Sequence, residues 1–398
     1  MRGKSLNILA TGMGWIDHTP GGLNRYFADY LKAMHAQGHR VRGLMTAHGE
    51  TTNAPDYVRD VVDRPVKLST FTRTRAFRTA IKRELVMEPP DVFNPHFALY
   101  SSLVTRDMIP RTVPIVTHFH GPWARESLVE DQGSDWQQQM RYRIKRNVEL
   151  LSYRRSDRFI VLSQYFRDIL VEEYGAAAER IHIIPGAVDT ERFRPAEDRD
   201  GLRLSLGVGE DTILFFCARR LVKRMGIDNL IRAMAQVSGE VPEARLVIAG
   251  DGALRQQLEG LVGELGLTER VRLLGRVSNE DLVRWYQAAD FSVVPTITLE
   301  GFGLVTTEAL ACGTPVLGTP YGGTKEILEK LDRALLFESH EPESMARKMI
   351  AVANGACPVP DRTTCRTHVL EHYTWERVAT AVAEVFQQAI AERREEAS

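Results

Sequence analysis

The sequence predicts an α/β protein with parallel sheets, and three observations lead to this prediction. Short apolar runs typical of buried strands alternate with helical segments along most of the chain. A length of 398 residues is too great for one ordinary hydrophobic core and indicates two domains. Between residues 186 and 201 the apolar periodicity stops while charged residues, Pro and Gly accumulate, which predicts a linker between the two.

The first half begins with the clearest unit. Residues 6–12 (LNILATG) are predicted to form a buried strand, and a glycine-containing loop follows at 12–22. A helix comes next, because apolar residues from Leu23 to Met34 recur at spacings of three and four, and Gly38 ends it. Further strands are predicted at 39–45, 91–97, 113–119, 157–163 and 180–186.

The second half repeats the alternation of strands and helices. In open parallel sheets, ligands bind beyond the carboxyl ends of the strands, so two such halves facing each other predict a ligand-binding cleft. Helices are predicted at 228–237, 252–265 and 279–289. Strands are predicted at 211–220, 244–252, 270–277, 290–296, 314–320 and 334–338.

Composition argues against several functional classes. The hydrophobic content of 43% and charged content of 26% are ordinary for a globular protein, and a net charge of −1 argues against a nucleic-acid partner. No uncharged apolar run approaches the roughly 20 residues that a membrane span needs, and the N-terminus lacks a signal-peptide pattern. The four cysteines show neither metal-binding nor CxxC spacing, so we expect buried thiols and a cytoplasmic protein.

Residues 290–323 form the most informative segment. Glu300 and Glu308 flank a Gly-Phe-Gly turn that opens a helix, predicted to start near Phe302. A helix N-terminus supplies free N–H donors and partial positive charge, which suit a phosphate. Gly301 and Gly303 permit close backbone approach, and ionised carboxylates accept hydrogen bonds from sugar hydroxyls. The segment therefore predicts binding of a nucleotide sugar.

The motifs also resemble those of a known family. In the second half they read RRLVKRMGIDNLI, LVIAGDG, VRLLGRV, ADFSVVPT, EGFGLVTTEALACGTPV and GGTKEIL, and in the first half PGGLNRYFADYL, HFHGPWARES, FIVLSQYFRDIL and IIPGAVDTERF. This pattern resembles the retaining glycosyltransferases of family 4, which have the GT-B fold. The resemblance implies two Rossmann-like domains facing each other across a cleft: an acceptor-binding domain at 1–190 and a donor-binding domain at 191–374. A C-terminal helix at about 375–398 is expected to pack back on the first domain.

The resemblance also implies the reaction. A hexose would move from a nucleoside-diphosphate sugar, with UDP the expected carrier, to a hydroxyl of a polysaccharide, a lipid-linked glycan or a small glycoside, with retention at the anomeric carbon. No cofactor or metal is expected, and the sequence shows neither an Asp-x-Asp after a strand nor a His/carboxylate ligand pattern.

Donor-binding residues follow from the same resemblance. Arg220 is assigned to the diphosphate and its leaving-group charge, Glu300 to the donor hexose and Glu308 to the ribose. Relatives commonly carry Lys before the Gly of this motif, whereas this chain has Met225, so Lys223 or Arg224 would have to supply the second cation. The other expected donor contacts are Gly21, Gly22, Arg276, Val277, Gly301, Phe302, Gly303 and Leu304.

The first half contributes His120, which the resemblance places beside the transferred sugar as a third catalytic residue. His96 and His118 are nearby candidates, with a structural polar role as the alternative. Trp123 and Arg125 are expected to shape the acceptor pocket, because sugars stack on aromatic faces.

Two basic stretches, 73–83 and 140–155, interleave cations with apolar residues. They predict either docking at the inner face of a membrane or ordinary solvated helix faces, and the sequence leaves both open. Many relatives act on lipid-linked acceptors, and acidic acceptors would also suit these cations.

Other functions compete with transfer. Met225 favours a catalytically silent nucleotide-sugar-binding protein, and a GT-B phosphorylase or epimerase would keep the fold. A pyridoxal-type phosphorylase needs a Schiff-base Lys, for which no candidate stands out. A dinucleotide fingerprint at Gly12-Met13-Gly14 lacks its third glycine at the required spacing, so a nicotinamide dehydrogenase is the least favoured. The sequence leaves the sugar, the base and the acceptor open.

Overall fold

The computed structural model describes residues 5–19, 21–50, 53–62, 68–130 and 134–397. The chain divides into two compact units. Unit 1 comprises Met1–Gly186 and Trp375–Ser398, and unit 2 comprises Ala187–Thr374. The change of unit at residue 186 falls where the predicted linker begins, and Val188 forms an isolated parallel bridge with Thr374 at the two ends of unit 2.

The sheet of unit 1 is entirely parallel. Its strands run in the orders β3-β2-β1-β4 and β5-β6-β7, and a parallel bridge from Phe93 to Ile115 joins β4 to β5. Buried Ile8 and Leu9 of the central strand explain why 6–12 reads as a continuous apolar run. The strands are β1 Asn7–Thr11, β2 Arg40–Met45, β3 Val58–Asp60, β4 Val92–Pro95, β5 Val116–Phe119, β6 Arg158–Val161 and β7 Ile181–Ile183.

Helices cover the sheet of unit 1. The last of them, α15, packs on α1. Gln37 Nε2 donates to the carbonyl of Glu376 at 2.9 Å, and the ring centroids of Trp375 and Tyr26 lie 5.1 Å apart. The helices are α1 Gly22–Ala36, α2 Thr70–Met87, α3 Ala98–Ser101, α4 Trp123–Glu130, α5 Asp135–Tyr153, α6 Gln164–Tyr174 and α15 Trp375–Ala397.

Unit 2 contains a second parallel sheet, in the order β10-β9-β8-β11-β12. The strand order reverses between β8 and β11, and in open parallel sheets ligands bind at the carboxyl ends of the strands beside such a reversal. The strands are β8 Ile213–Ala218, β9 Ala244–Ala249, β10 Val271–Gly275, β11 Phe291–Val294 and β12 Val316–Gly318. The helices are α7 Arg199–Ser205, α8 Ile227–Glu240, α9 Arg255–Glu264, α10 Asn279–Ala288, α11 Leu304–Ala311, α12 Gly322–Leu331, α13 Pro342–Ala353 and α14 Arg362–His372.

Two local predictions were wrong, and one strand was missed. The strand predicted at 334–338 is replaced by a short 3-10 helix, Arg333–Leu335, followed by a single bridge from Leu336 to Gly318, because Asp332 accepts a hydrogen bond from Ala334 N and tightens the chain. β3 was not predicted, since three residues are too few for a periodicity. Helix α11 begins at Leu304 rather than near Phe302, because Gly303 adopts a left-handed φ of 92°.

No helix in the described ranges is long and apolar enough to cross a bilayer.

Candidate functional site

The turn before α11 is locked against the start of α12. Gly303 is left-handed, and a Cβ there would lie 2.6 Å from Thr324 Oγ1. Gly322 has φ 57°, and its Cβ would lie 2.1 Å from the carbonyl oxygen of Glu300. Gly323 N donates to that same carbonyl at 2.9 Å. Only glycine fits such contacts, so the starts of α11 and α12 lie side by side as two sets of N–H donors.

Glu300 is held by a residue that sequence analysis missed. Its Oε2 accepts from Thr296 Oγ1 at 3.1 Å and forms an ion pair with Arg219. Both charged side chains are more than nine-tenths buried, at 8% and 9% exposure, so the pair is screened little by water. In the sequence, the only indication of a role for Arg219 is that two arginines in succession follow β8. The resemblance to the family assigned a role to Arg220 alone.

The backbone before Glu300 is strained. Leu299 has φ 57°, which is rare outside glycine and costs about 1–3 kcal/mol. The buried guanidinium of Arg224 donates to the Leu299 carbonyl at 3.1 Å, and the Arg224 carbonyl accepts from Ile297 N at 2.9 Å. Arg224, predicted to contact the donor, is therefore committed to holding the loop that carries Glu300.

The remaining predicted cations lie on the surface of unit 2. Arg220 is exposed two residues after the end of β8, and Lys223 is exposed at the start of the following 3-10 helix, Lys223–Met225. Arg276 is exposed after β10, followed by half-buried Val277, with its Nε 3.7 Å from Asp251 Oδ2. Met225 is buried at 5% exposure. The side chain at the position where relatives carry Lys thus packs in the core of unit 2.

Glu308 lies on α11, four residues after its first residue, Leu304. Because the helix starts later than predicted, Glu308 is about one turn from the N-terminus rather than two. Its side chain is almost fully buried, and the hydroxyl of Tyr286 donates to Oε2 at 3.3 Å. Glu300, Gly301, Phe302, Gly303 and Glu308 thus follow one strand, β11, within a single turn and helix.

Three histidines cluster in unit 1. His96 follows β4, while His118 and His120 lie in and after β5. The rings of His96 and His118 stack at 4.1 Å, and His96 Nδ1 lies 3.0 Å from His120 Nε2. No group of three or more His, Cys, Asp or Glu in the described residues is arranged to hold a metal ion.

Burial keeps this histidine cluster neutral. Desolvation lowers the pKa of His120 to about 3, and it lowers the pKa of His96 and of His118 well below the ordinary value, with the neighbouring imidazoles adding to both shifts. At neutral pH these rings donate and accept hydrogen bonds as uncharged groups.

The other predicted residues of unit 1 lie at the start of α1 and on α4. Gly21 caps α1 and Gly22 is its first residue. Trp123 meets Phe97 edge to face at 5.7 Å, and Arg125 forms an ion pair with Glu173. Trp123 therefore packs on the core with its ring half-buried.

Glu149 is a buried carboxyl of α5 that sequence analysis also missed. Its Oε2 accepts from Tyr174 Oη at 2.7 Å and from Ala124 N at 3.4 Å. Burial raises the pKa of the Glu149 carboxyl from 4.5 to about 7, although the hydrogen bond from Tyr174 opposes the shift.

Glu149→Gln should stabilise unit 1 at high pH. Between about pH 4.5 and 7 the folded carboxyl keeps a proton that the unfolded chain releases, so stability falls as pH rises through this window. The full shift corresponds to about 3 kcal/mol. Urea unfolding should show Glu149→Gln more stable than wild type at pH 8 by up to that amount, with the gain shrinking towards pH 4.5. Glu172→Gln, at an exposed position on α6, is the control. A gain independent of pH would contradict this account.

Two family models match the chain. The model described as Glycosyltransferase Family 4 covers residues 20–192, and the model described as Glycosyl transferases group 1 covers residues 198–365. The matches divide close to the boundary between units 1 and 2.

Curated relatives match over part of their length. A D-inositol 3-phosphate glycosyltransferase of Catenulispora acidiphila is 34% identical over 247 residues, 59% of this chain and 58% of the relative. A GDP-mannose-dependent monoacylated alpha-(1-6)-phosphatidylinositol monomannoside mannosyltransferase of Corynebacterium glutamicum is 30% identical over 258 residues, 62% of this chain and 64% of the relative. The chain thus spans little more than half the length of the curated relatives it matches.

Solved structures match over nearly the whole chain. Sucrose-phosphate synthase of Thermosynechococcus elongatus has a TM-score of 0.79 at 24% identity, covering 97% of this chain and 100% of that structure. HepE of Anabaena, solved with UDP and glucose, has a TM-score of 0.74 at 19% identity, covering 96% and 99%. These neighbours confirm the predicted GT-B fold, and the chain belongs to the group 1 family of GT-B glycosyltransferases.

Proposed function

We propose that the protein transfers a hexose from a nucleoside-diphosphate sugar, carried by UDP, to a hydroxyl acceptor with retention of anomeric configuration. One observation carries the proposal: the turn at 300–304, locked by glycine contacts onto the start of α12, with Glu300 before it and Glu308 after it. The GDP-mannose-dependent relative and the neighbour solved with UDP and glucose support a nucleotide-sugar donor.

Each part of the donor has a matching group in unit 2. The diphosphate would be held by the N–H groups at the starts of α11 and α12, with Arg220 as the countercharge. Glu308 would accept hydrogen bonds from the ribose hydroxyls, and Glu300 from the hexose hydroxyls. Because Arg219 and Thr296 already hold Oε2 of Glu300, the carboxylate is oriented before a donor binds.

In the proposed reaction, the acceptor hydroxyl attacks C1 of the donor sugar from the same face from which the diphosphate departs. The bond from C1 to the β-phosphate oxygen breaks as the acceptor oxygen bonds to C1, and the departing phosphate oxygen takes the acceptor's proton. A double displacement would need a carboxylate behind C1, and the first-half motif HFHGPW offers His120 instead. Protein groups then act by orientation and by electrostatic stabilisation of the leaving diphosphate. His120 is assigned to a hydroxyl of the reacting sugars.

A catalytically silent nucleotide-sugar-binding protein is the second candidate. Buried Met225 favours it, because the expected second cation beside the diphosphate is missing and Arg224 is committed to the Leu299 carbonyl. Of the two cations considered for the second phosphate contact, Lys223 and Arg224, we therefore assign exposed Lys223 to it.

A nucleotide panel separates these functions. Thermal unfolding should be measured with UDP, GDP, ADP, their glucose and mannose conjugates, and inorganic phosphate, since a ligand that binds only the native state raises the melting temperature. We expect UDP and a UDP-hexose to give the largest shift. Release of UDP with sugar transfer to an acceptor, or slow donor hydrolysis, would then exclude the silent alternative. A shift with phosphate alone would contradict the proposed donor and favour a phosphorylase.

We also propose that unit 1 contacts an anionic membrane surface. Phe77 and Ile81 of the 73–83 stretch are fully buried in the core, which corrects the expectation that they interleave with cations on the surface. Helices α2 and α5 instead expose other large apolar side chains among exposed cations. These are Phe71, Val86 and Met87 on α2, and Trp136, Met140, Ile144 and Leu151 on α5.

Vesicle binding tests the membrane contact. Co-sedimentation with phosphatidylglycerol vesicles should exceed that with phosphatidylcholine vesicles and should weaken in high salt. Replacing Trp136, Met140 and Ile144 together by Ser should lower the vesicle affinity at least about tenfold. Each substitution removes apolar side-chain area that would be buried in the membrane surface. Leu204→Ser, at an exposed apolar position of unit 2, is the matched control. Equal binding of the triple variant and wild type would exclude this surface.

A further inference from the structure

A chain of hydrogen bonds in unit 1 links α1 to His120. Tyr30 Oη donates to Asn94 Oδ1 at 2.9 Å. Asn94 Oδ1 also lies 2.9 Å from His96 Nε2, and His96 Nδ1 lies 3.0 Å from His120 Nε2. His120, the last residue in this series of hydrogen bonds, is partly exposed. The other residues named here are buried: Tyr30, Asn94, His96 and also His118.

The direction of every bond in this chain follows from one backbone carbonyl. The amide of Asn94 lies 2.6 Å from the carbonyl oxygen of Val116, which can only accept, so the atom facing it is the Nδ2 donor. Asn94 Oδ1 is then an acceptor, and His96 Nε2 must carry a proton. In a neutral ring His96 Nδ1 is consequently an acceptor, and His120 Nε2 donates to it.

The side-chain amide of Asn94 also determines the tautomer of His118. The second Nδ2 proton of Asn94 points to His118 Nδ1 at 2.9 Å, so His118 carries its proton on Nε2. That Nε2 is buried and has no hydrogen-bond partner among the described residues. His118 therefore ends a separate branch and leaves the chain to His120 unchanged.

We propose that His96 is a positioning residue, which fixes His120 in the tautomer with its proton on Nε2 and so presents Nδ1 as a hydrogen-bond acceptor to a sugar hydroxyl. Within the described residues, His120 Nδ1 makes no hydrogen bond to protein. The assignment of the hydroxyl rests on the proposed glycosyl transfer, whereas the assignment of the tautomer rests on the hydrogen-bond chain alone.

Nitrogen NMR tests the tautomer without any turnover. In histidine-labelled protein, long-range proton–nitrogen correlations distinguish the two neutral tautomers from the imidazolium, and the His96→Asn, His118→Gln and His120→Gln variants assign the signals. We expect His120 to be neutral with its proton on Nε2. Either a proton on Nδ1 or an imidazolium at neutral pH on His120 of the wild-type protein would overturn the proposal, and correlations from the assigned backbone to the ring identify His120 if a variant fails to fold.

Two substitutions at His96 separate positioning from packing. In His96→Asn the amide oxygen reaches the place of Nδ1 and still accepts from His120, so the tautomer and the kcat for transfer should stay near wild type. His96→Leu removes the acceptor, so both tautomers of His120 should be populated and kcat should fall about tenfold while the donor KM changes little. An unchanged tautomer or an unchanged kcat in folded His96→Leu would overturn the positioning role.

Ligand addition identifies the source of the hydroxyl. A change in the His120 Nδ1 signal with UDP-glucose alone assigns the contact to the donor, and a change only after an acceptor is added assigns it to the acceptor. Binding of UDP-glucose and an acceptor without either change would overturn the hydroxyl contact. If no nucleotide sugar binds at all, the proposed function fails, and the tautomer measured in the free protein still decides the role of His96.

Discussion

Arg220→Ala should lower kcat for sugar transfer by about 10²–10³-fold while leaving the fold intact, because it removes the charge we assign to the departing diphosphate. Arg220 is exposed at the carboxyl end of β8, so its truncation leaves no cavity in the core. A guanidinium can make two parallel hydrogen bonds to a phosphate, which lysine cannot reproduce. Arg220→Lys should therefore recover only part of the lost activity. Steady-state kinetics with saturating donor, together with circular dichroism of each variant, measure both effects.

The control for Arg220 is an equally exposed arginine of the same unit. Arg232 lies on α8, and Arg232→Ala should transfer sugar at the wild-type rate. Inorganic pyrophosphate should bind Arg220→Ala more weakly than wild type, because the lost contact is to the phosphates. Near-normal turnover of a folded Arg220→Ala protein would remove Arg220 from the site.

Glu308→Gln should weaken the affinity for UDP about 10–100-fold. The ribose hydroxyls would lose charge-assisted hydrogen bonds worth about 1.5–3 kcal/mol each, and about 1.4 kcal/mol corresponds to a tenfold change in Kd. Gln keeps the volume of the buried side chain, and an oxygen can still accept from Tyr286, so the fold should persist. Isothermal titration with UDP measures the loss.

Pyrophosphate separates the role of Glu308 from that of Arg220. Because Glu308 is assigned to the ribose, its substitution should leave the affinity for inorganic pyrophosphate unchanged, opposite to the result for Arg220→Ala. Glu264→Gln, at an exposed position of α9, is the matched control. An unchanged UDP affinity in Glu308→Gln would remove the ribose assignment, and an equal loss for UDP and pyrophosphate would point to a distorted helix start instead.

Much of the fold was predictable, because parallel strands with covered faces leave continuous apolar runs that a sequence shows directly. Arg220 could be placed at a strand end for the same reason, and Glu300 in the loop before the next helix. The family motif then supplied roles for these residues that their spacing alone could not supply.

Other features were not predictable because they depend on contacts between distant segments. The ion pair of Arg219 with Glu300 joins the segments that follow two different strands, β8 and β11. The sequence offered Arg224 as a cation for the donor phosphates. In the structure its guanidinium donates to the carbonyl of Leu299, a residue with strained backbone. In the same way, the direction of the hydrogen bonds to His120 depends on the Asn94 amide and on Val116 of the neighbouring strand.

A crystal structure of the protein with UDP-glucose tests the central claim most directly, namely that the turn at 300–304 binds the diphosphate of a sugar nucleotide. We predict phosphate oxygens within hydrogen-bond distance of backbone N–H groups at the starts of α11 and α12 and of the Arg220 guanidinium. Glu308 should then contact the ribose, and Glu300 should contact the hexose through Oε1 while Oε2 stays on Arg219. A diphosphate bound elsewhere, with this turn making no contact to the nucleotide, would contradict the account.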